Sequence, residues 1–416
     1  MGHGGGCDRR ARLARAASVS SRLRKAISRY PPKAHSAVLV LTLVTTGAVT
    51  LVPAAAQAAF PGQNGVIVFV GSGSCAGRHD EGPGGDQLFG LQSHARRPVP
   101  LTCTGGRVQH PFVSPDGSEV VFSTSSSGGL GQLFTLPLDT TRAHGTTRPT
   151  LVSGSPDASD DYPSWSPADD GTIVFERTGA GAISQLYTEN VTNPSSAAPV
   201  FHSTTGFSDT EPVFDPSDAN TIAFVRTVDG HTHIFSYDMS TQTLTDLSAK
   251  GAGGGEGNDS KPDYAPALSG GRIVFQSDRA CGKMQLYTMA QDGTQQLPVF
   301  QTWSEATPTG IQMCTQASRD PVFSPQGDTL AYDRQGWGSI SELAEVSLNA
   351  SGAAHGAGTD DDDLFEFGAQ PNWGPVATPP AQTPEVSLPV VLPVIGTAVA
   401  GLVLATRRRR ARAAHR

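Results

Sequence analysis

The chain has 416 residues, with 47 Gly and 31 Pro and only 16 % charged side chains, a profile that disfavours a helical protein and suits many short strands joined by tight turns. Its formal charge of −8 averages unlike parts: nine of the 30 Lys/Arg fall in residues 1–58 and six in residues 407–416, leaving 15 bases against 37 acids between them. So acidic a middle repels nucleic acid and anionic lipid and favours cations or basic partners.

In chain order, a basic stretch over residues 1–36 leads into the apolar run SAVLVLTLVTTGAVTLV (Ser36–Val52) and the small-x-small site Ala56-Gln57-Ala58. These features predict an export signal over residues 1–58, cut after Ala58. From Phe60 onward one pattern recurs. HPFVSPDGSEVVFS (His110–Ser123), YPSWSPADDGTIVFER (Tyr162–Arg177) and EPVFDPSDANTIAFVR (Glu211–Arg226) are versions of one segment. KPDYAPALSGGRIVFQSDR (Lys261–Arg279) and DPVFSPQGDTLAYDR (Asp320–Arg334) continue the series. FPGQNGVIVF (Phe60–Phe69) holds only the second half of the unit, and QPNWGP (Gln370–Pro375) only the first. The second prolines fall at 61, 115, 167, 216, 266, 325 and 375, at steps of 49 to 59 residues.

Alternating bulky residues (Ile173/Phe175, Ile222/Phe224, Ile273/Phe275) mark strands, and the apolar residues between them mark strands covered on both faces. A second strand follows in each unit (Gln87–Phe89, Gln132–Phe134, Gln185–Tyr187, His233–Phe235, Gln285–Tyr287), then a weaker third. The sixth version, Glu342–Ala344, lacks the aromatic residue. Four short antiparallel strands per unit of about 50 residues, stacked between like neighbours, describe propeller blades. The first proline of each unit is expected at the start of an inner strand and the second at the turn into the next. The half-units predict a closed six-bladed ring over residues 59–375, with Ala369–Trp373 completing the blade begun at Phe60. The Pro-x-aromatic-Ser-Pro-Asp-Gly pattern with IVFQSDR…QLYTM resembles the TolB-type, WD40-like propeller repeat. That resemblance implies the all-β fold. The α/β domain that precedes the propeller in TolB proteins has no counterpart before Phe60, so the Tol envelope role stays an alternative.

Four cysteines follow the signal. Cys75 and Cys281 each lie six residues after the strand aromatics Phe69 and Phe275, which suggests two intrablade disulfides, Cys75–Cys103 and Cys281–Cys314. A thiolate metal site is the alternative. Asp160, Asp209 and Asp259 sit three residues before the first proline of consecutive units, with Asp161, Glu211 and Asp320 closer to it. These acids are expected to ring one mouth of the channel, where carboxylates suit Ca²⁺ or a basic peptide, or else to serve as turn residues. His231 and His233 share a strand face without an evident third ligand, and TDDDDLFEF (Thr359–Phe367) is expected to be a solvated loop. There is no G-x-S-x-G elbow, H-E-x-x-H pair or phosphate loop.

A Pro-rich linker over residues 376–387 leads to Leu388–Ala405, 18 residues without a charge, then Arg407–Arg410. This end predicts a single anchor helix over 388–406, a basic tail (407–416) in the cytoplasm and the propeller outside. The expected function is a monomeric, non-enzymatic binding or scaffold module for a protein, peptide or cell-wall ligand at the cell surface, with no cofactor beyond a Ca²⁺ option. The alternatives are a propeller glycan lyase or hydrolase with its site at the channel mouth, and a Tol-like envelope partner.

Overall fold

The computed structural model describes residues 60–377 apart from 73–85, 93–94, 96, 104–105, 126–128, 141–147, 169–170, 182, 202–205, 251–256, 267–270, 281, 301–316, 336–340, 355–360 and 367. The described strands form six four-stranded antiparallel sheets. Blade one orders β24 (Gly368–Pro375), β1 (Asn64–Ser72), β2 (Asp86–Gln92) and β3 (Val99–Pro100) from the inside outward. Blade two is β4 (Arg107–Val113), β5 (Glu119–Ser125), β6 (Gln132–Pro137) and β7 (Thr150–Ser153). Blade three is β8 (Ser159–Trp165), β9 (Thr172–Thr178), β10 (Ser184–Asn190) and β11 (Ala198–Pro199). Blade four is β12 (Asp209–Asp215), β13 (Asp218–Val228), β14 (His231–Asp238) and β15 (Thr243–Asp246). Blade five is β16 (Asp259–Tyr264), β17 (Arg272–Ser277), β18 (Gln285–Ala290) and β19 (Leu297–Pro298). Blade six is β20 (Ser318–Phe323), β21 (Thr329–Gln335), β22 (Ser341–Ser347) and β23 (Asp361–Glu366).

The ring closes as the two half-units require. β24, from the end of the repeat region, pairs antiparallel with β1 from its start, Asn64 opposite Pro375 and Gly71 opposite Gly368. The inner edge of β1 is therefore paired rather than bare. Blade six departs from expectation: Asp361–Glu366, within the acidic run expected to be a loop, is its outermost strand, paired with β22. Charges on an outer edge suit that place, because they discourage pairing with another chain.

The core is divided rather than central. Six apolar clusters each join one blade to the next, as where Trp165 and Ile173 of blade three meet Val121 and Leu133 of blade two. Within blades, the second- and third-strand aromatics stack across the ladder: Phe69 on Phe89, Phe122 on Phe134, Phe175 on Tyr187, Phe224 on Phe235 and Phe275 on Tyr287, centroids 5.7–6.2 Å apart. In blade six Tyr332 faces Ala344, and Phe300, which follows β19, packs on Tyr332 at 5.7 Å instead. The second proline is where the turn chemistry places it. In Ser114-Pro115-Asp116-Gly117, Gly117 takes φ 73° and donates its N–H to Ser114 O, and the Asp116 carboxylate accepts from Ser118.

Cys103 is disulfide-bonded, and Cys75, Cys281 and Cys314 lie outside the described residues. So do the segments expected to be the signal, most of the linker, the anchor helix and the tail; among the described residues no helix is long and apolar enough to cross a membrane.

Closure leaves no room at Gly65, where a Cβ would run into the carbonyl of Pro375, whereas one on Gly179 meets nothing within 4 Å. Gly65→Ala is expected to cost about 1–3 kcal/mol and to lower the melting temperature by several degrees, with Gly179→Ala melting close to the parent. Equal melting of both variants in thermal denaturation would show that β24 does not hold the ring shut.

Candidate functional site

The first proline of each unit is not at the start of its strand. It lies inside the inner strand, and in all six blades the register with the second strand breaks there. The residue before it takes left-handed φ in every blade: His110 (47°), Tyr162 (50°), Glu211 (52°), Lys261 (55°), Asp320 (47°) and Gln370 (51°). None is glycine or asparagine, and each precedes a proline, which restricts it further, so each costs about 1–3 kcal/mol. The bulge admits a proline because the ladder bond it cannot donate is already missing.

These kinks turn six side chains toward one axis. With the prolines and, in five blades, the residue after each, they line a cavity of about 100 Å³. Its walls hold a continuous stack. The His110 ring lies on Tyr162 with centroids 3.5 Å apart, and the Lys261 ammonium sits 3.8 Å from the Tyr162 ring centre. The same ammonium is 3.6 Å from Glu211 Oε1 and 3.5 Å from Asp320 Oδ1. Burial alone would drive the Lys261 pKa down, but the two carboxylates outweigh it and hold the pKa well above the ordinary lysine range. Burial raises the Tyr162 phenol, so it stays protonated.

The kinked backbone is held by side chains from neighbouring strands. Glu176, next after the β9 aromatic, accepts from Glu211 N (3.0 Å), and Gln276 at the same place in β17 accepts from Asp320 N (2.9 Å). Where that place is a valine, Val70 or Val225, the preceding kink residue serves instead: Gln370 Oε1 takes His110 N (3.0 Å) and Glu211 Oε2 takes Lys261 N (2.7 Å). In blade two the place is Ser123, which donates to Asp161, and Asp161 Oδ1 also meets Tyr162 N (2.8 Å) and His110 Nδ1 (2.7 Å). Asp333, the blade-six member and one methylene shorter than Glu176, keeps a buried Oδ1 with no hydrogen-bond partner among the described residues.

Burial pushes several of these acids upward, Glu176 to about 8 with Asp161 and Glu211 adding to the effect, and Asp263 and Asp333 to about 7. Asp161 goes the other way: burial would raise it, but the bonds from His110, Ser123 and Tyr162 N outweigh burial.

The expected carboxylate ring is only partly assembled. Glu211 and Asp320 line the cavity, and Asp161 stands behind His110. Asp160, Asp209 and Asp259 do not line it; they are buried, each clasped by an arginine of its own blade, two of them in the second strand and the third, Arg279, two residues past it. Arg177 meets Asp160, Arg226 meets Asp209 and Arg279 meets Asp259, all at 2.6 Å. The arginines lie against the stacked blade aromatics, Arg226 over Phe201, Phe207, Phe224 and Phe235. These aspartates are blade staples, and among the described residues no group of three His, Cys, Asp or Glu side chains could hold a metal ion. His233 pairs with Asp246 at 3.2 Å. The sequence expectation missed His110, Tyr162, Lys261 and Gln370, although their position before an ever-present proline was a signal.

No protein-family model matches the chain, and no curated protein matches it in sequence. Solved structures do match. TolB from Acinetobacter baumannii superposes with a TM-score of 0.52 at 16 % identity, over 76 % of this chain and 69 % of that one. A TolB structure from Agrobacterium tumefaciens gives 0.51 at 17 %, over 74 % and 91 %. Hydrazine synthase from Kuenenia stuttgartiensis gives 0.54 at 14 %, over 77 % of this chain and 47 % of that one. At such identities the likeness is one of fold, and the fold is a TolB-like six-bladed β-propeller.

The raised acids set a pH dependence. A carboxyl whose folded pKa is raised contributes fully to stability below the ordinary carboxylate range, and that contribution is lost as pH climbs through the folded value. For Glu176 the loss spans roughly pH 4.5 to 8. Glu176→Gln keeps the acceptor, as Gln276 does naturally, and removes the charge. Urea midpoints are expected to agree at pH 5 and to favour the variant at pH 9 by about 1–3 kcal/mol. Parallel pH profiles would refute the assignment.

Proposed function

We propose that this protein is a non-enzymatic binding or scaffold module whose ligand is a protein segment, peptide or cell-wall component recognised at the channel. The observation that carries this reading is the kink ring. Six equivalent backbone positions, all strained alike, bear six different large polar side chains, His, Tyr, Glu, Lys, Asp and Gln, turned toward one cavity. A fold that needed only the kink would take glycine there. Strain kept beneath varied side chains marks a recognition surface.

The same proposal places the propeller outside the cell, delivered by the signal in residues 1–58 and held by the helix expected over 388–406. Its basic tail would lie in the cytoplasm, and its acidic surface would suit cationic partners. A second reading has one observation in its favour, the His110–Asp161 pair at 2.7 Å, which an acid–base enzyme would also carry. His110→Gln separates the two, since turnover would vanish with the imidazole whereas binding through the other five walls would persist.

Capture of surface components from intact cells by soluble residues 59–377 tests the site. Tyr162→Ala is expected to weaken capture at least tenfold, and unchanged capture would move the site off the channel. Removing residues 387–416 from the full chain is expected to release the protein into the medium; a truncated form still sedimenting with membranes would end the anchor proposal.

A further inference from the structure

The cradle around Lys261 differs from the three arginine staples of the blades. Where an arginine staples a blade, it closes on its aspartate at 2.6 Å, and the aspartate side chain is 0–5 % exposed. The Lys261 ammonium stands 3.6 Å from Glu211 and 3.5 Å from Asp320, and those carboxylates are 16 % and 18 % exposed. A charge-assisted N–H···O bond closes at about 2.7–2.9 Å, so the ammonium touches neither acid at bonding distance. The cradle is wider than the group inside it. It also carries one more negative charge than positive, and its floor is the face of Tyr162, 3.8 Å from the ammonium.

We infer that the cradle is a guanidinium site: an arginine side chain of a partner segment enters the channel, lies along Tyr162 and forks between Glu211 and Asp320, displacing the Lys261 ammonium. This inference rests on reading the channel as a binding site and names the group bound there. A planar guanidinium spans two acceptors and stacks on an aromatic face, which a compact ammonium does not. The cavity, about 100 Å³, is of the scale of a side chain rather than of a folded surface. Lys261 is then a tethered counter-ion. It keeps two part-buried carboxylates compensated while the site is empty, and it lowers the apparent affinity of any ligand that must displace it.

Calorimetric titration of the full-length protein with N-acetyl-arginine amide, against the lysine and norleucine amides, tests the assignment. The wild type is expected to bind the arginine amide at least tenfold tighter than the norleucine amide. Lys261→Ala is expected to tighten the arginine amide a further tenfold, and Glu211→Gln with Asp320→Asn to abolish the preference. No preference for the arginine amide in wild type or Lys261→Ala would overturn the inference. Should Lys261→Ala fail to fold, the wild type and the double variant still decide. The binding reading has its own failure: arginine amide bound as expected, with surface capture indifferent to Tyr162→Ala, would remove the partner and leave the guanidinium site. Capture lost in Tyr162→Ala with the arginine amide ignored would do the reverse.

Discussion

In the middle of every inner strand the chain passes through a left-handed residue into a proline, and six such kinks meet around one axis. Much of the molecule can be traced to that repeated break. It interrupts the ladder between first and second strands and accommodates a proline there. It also aims the preceding side chain at the channel and leaves a backbone N–H to be satisfied. The next residues return to the strand and carry the inter-blade aromatics, such as Trp165, Phe214, Tyr264 and Phe323. Wall and core are thus built from adjacent positions of one segment.

The cost of the kinks explains the polar residues around them. An unpaired N–H beside a buried proline would add a desolvation penalty to the strain. The chain supplies acceptors blade by blade, from the second strand where Glu176 or Gln276 stands and from the kink residue itself where Val70 or Val225 stands. One channel acid therefore does two jobs. Glu211 receives Lys261 N through one oxygen and faces its ammonium with the other. Such a group sits rigidly, as a recognition surface requires.

The fold was legible in the sequence because a ring repeats its instructions: the proline spacing, the strand pairs and the two half-units at the ends sufficed for blade number and closure. The site was harder to see because its geometry breaks strand alternation. Asp209 and Glu211 are two residues apart and would share a face in a regular strand. The left-handed φ at Glu211 sends them to different places, Asp209 onto Arg226 inside the blade and Glu211 into the channel. The arginine partners stood in plain view near the ends of the second strands, as Arg177, Arg226 and, just past its strand, Arg279, but as long as the aspartates were expected to face the channel the arginines had no assigned role. The acidic run near Asp361 misled by composition, since charge suits an outermost strand as well as a loop.

Closure also imposes an order of events. β1 leaves the ribosome with its inner edge bare, and its partner β24 follows roughly three hundred residues later. Five blades can assemble from neighbouring segments, but the first must wait for the last strand, and that pairing closes the largest loop in the chain. Until then the nascent domain carries an exposed strand edge whose correct partner has not been made. Its vulnerability to mispairing is therefore concentrated in time, between the emergence of Asn64 and the arrival of Pro375.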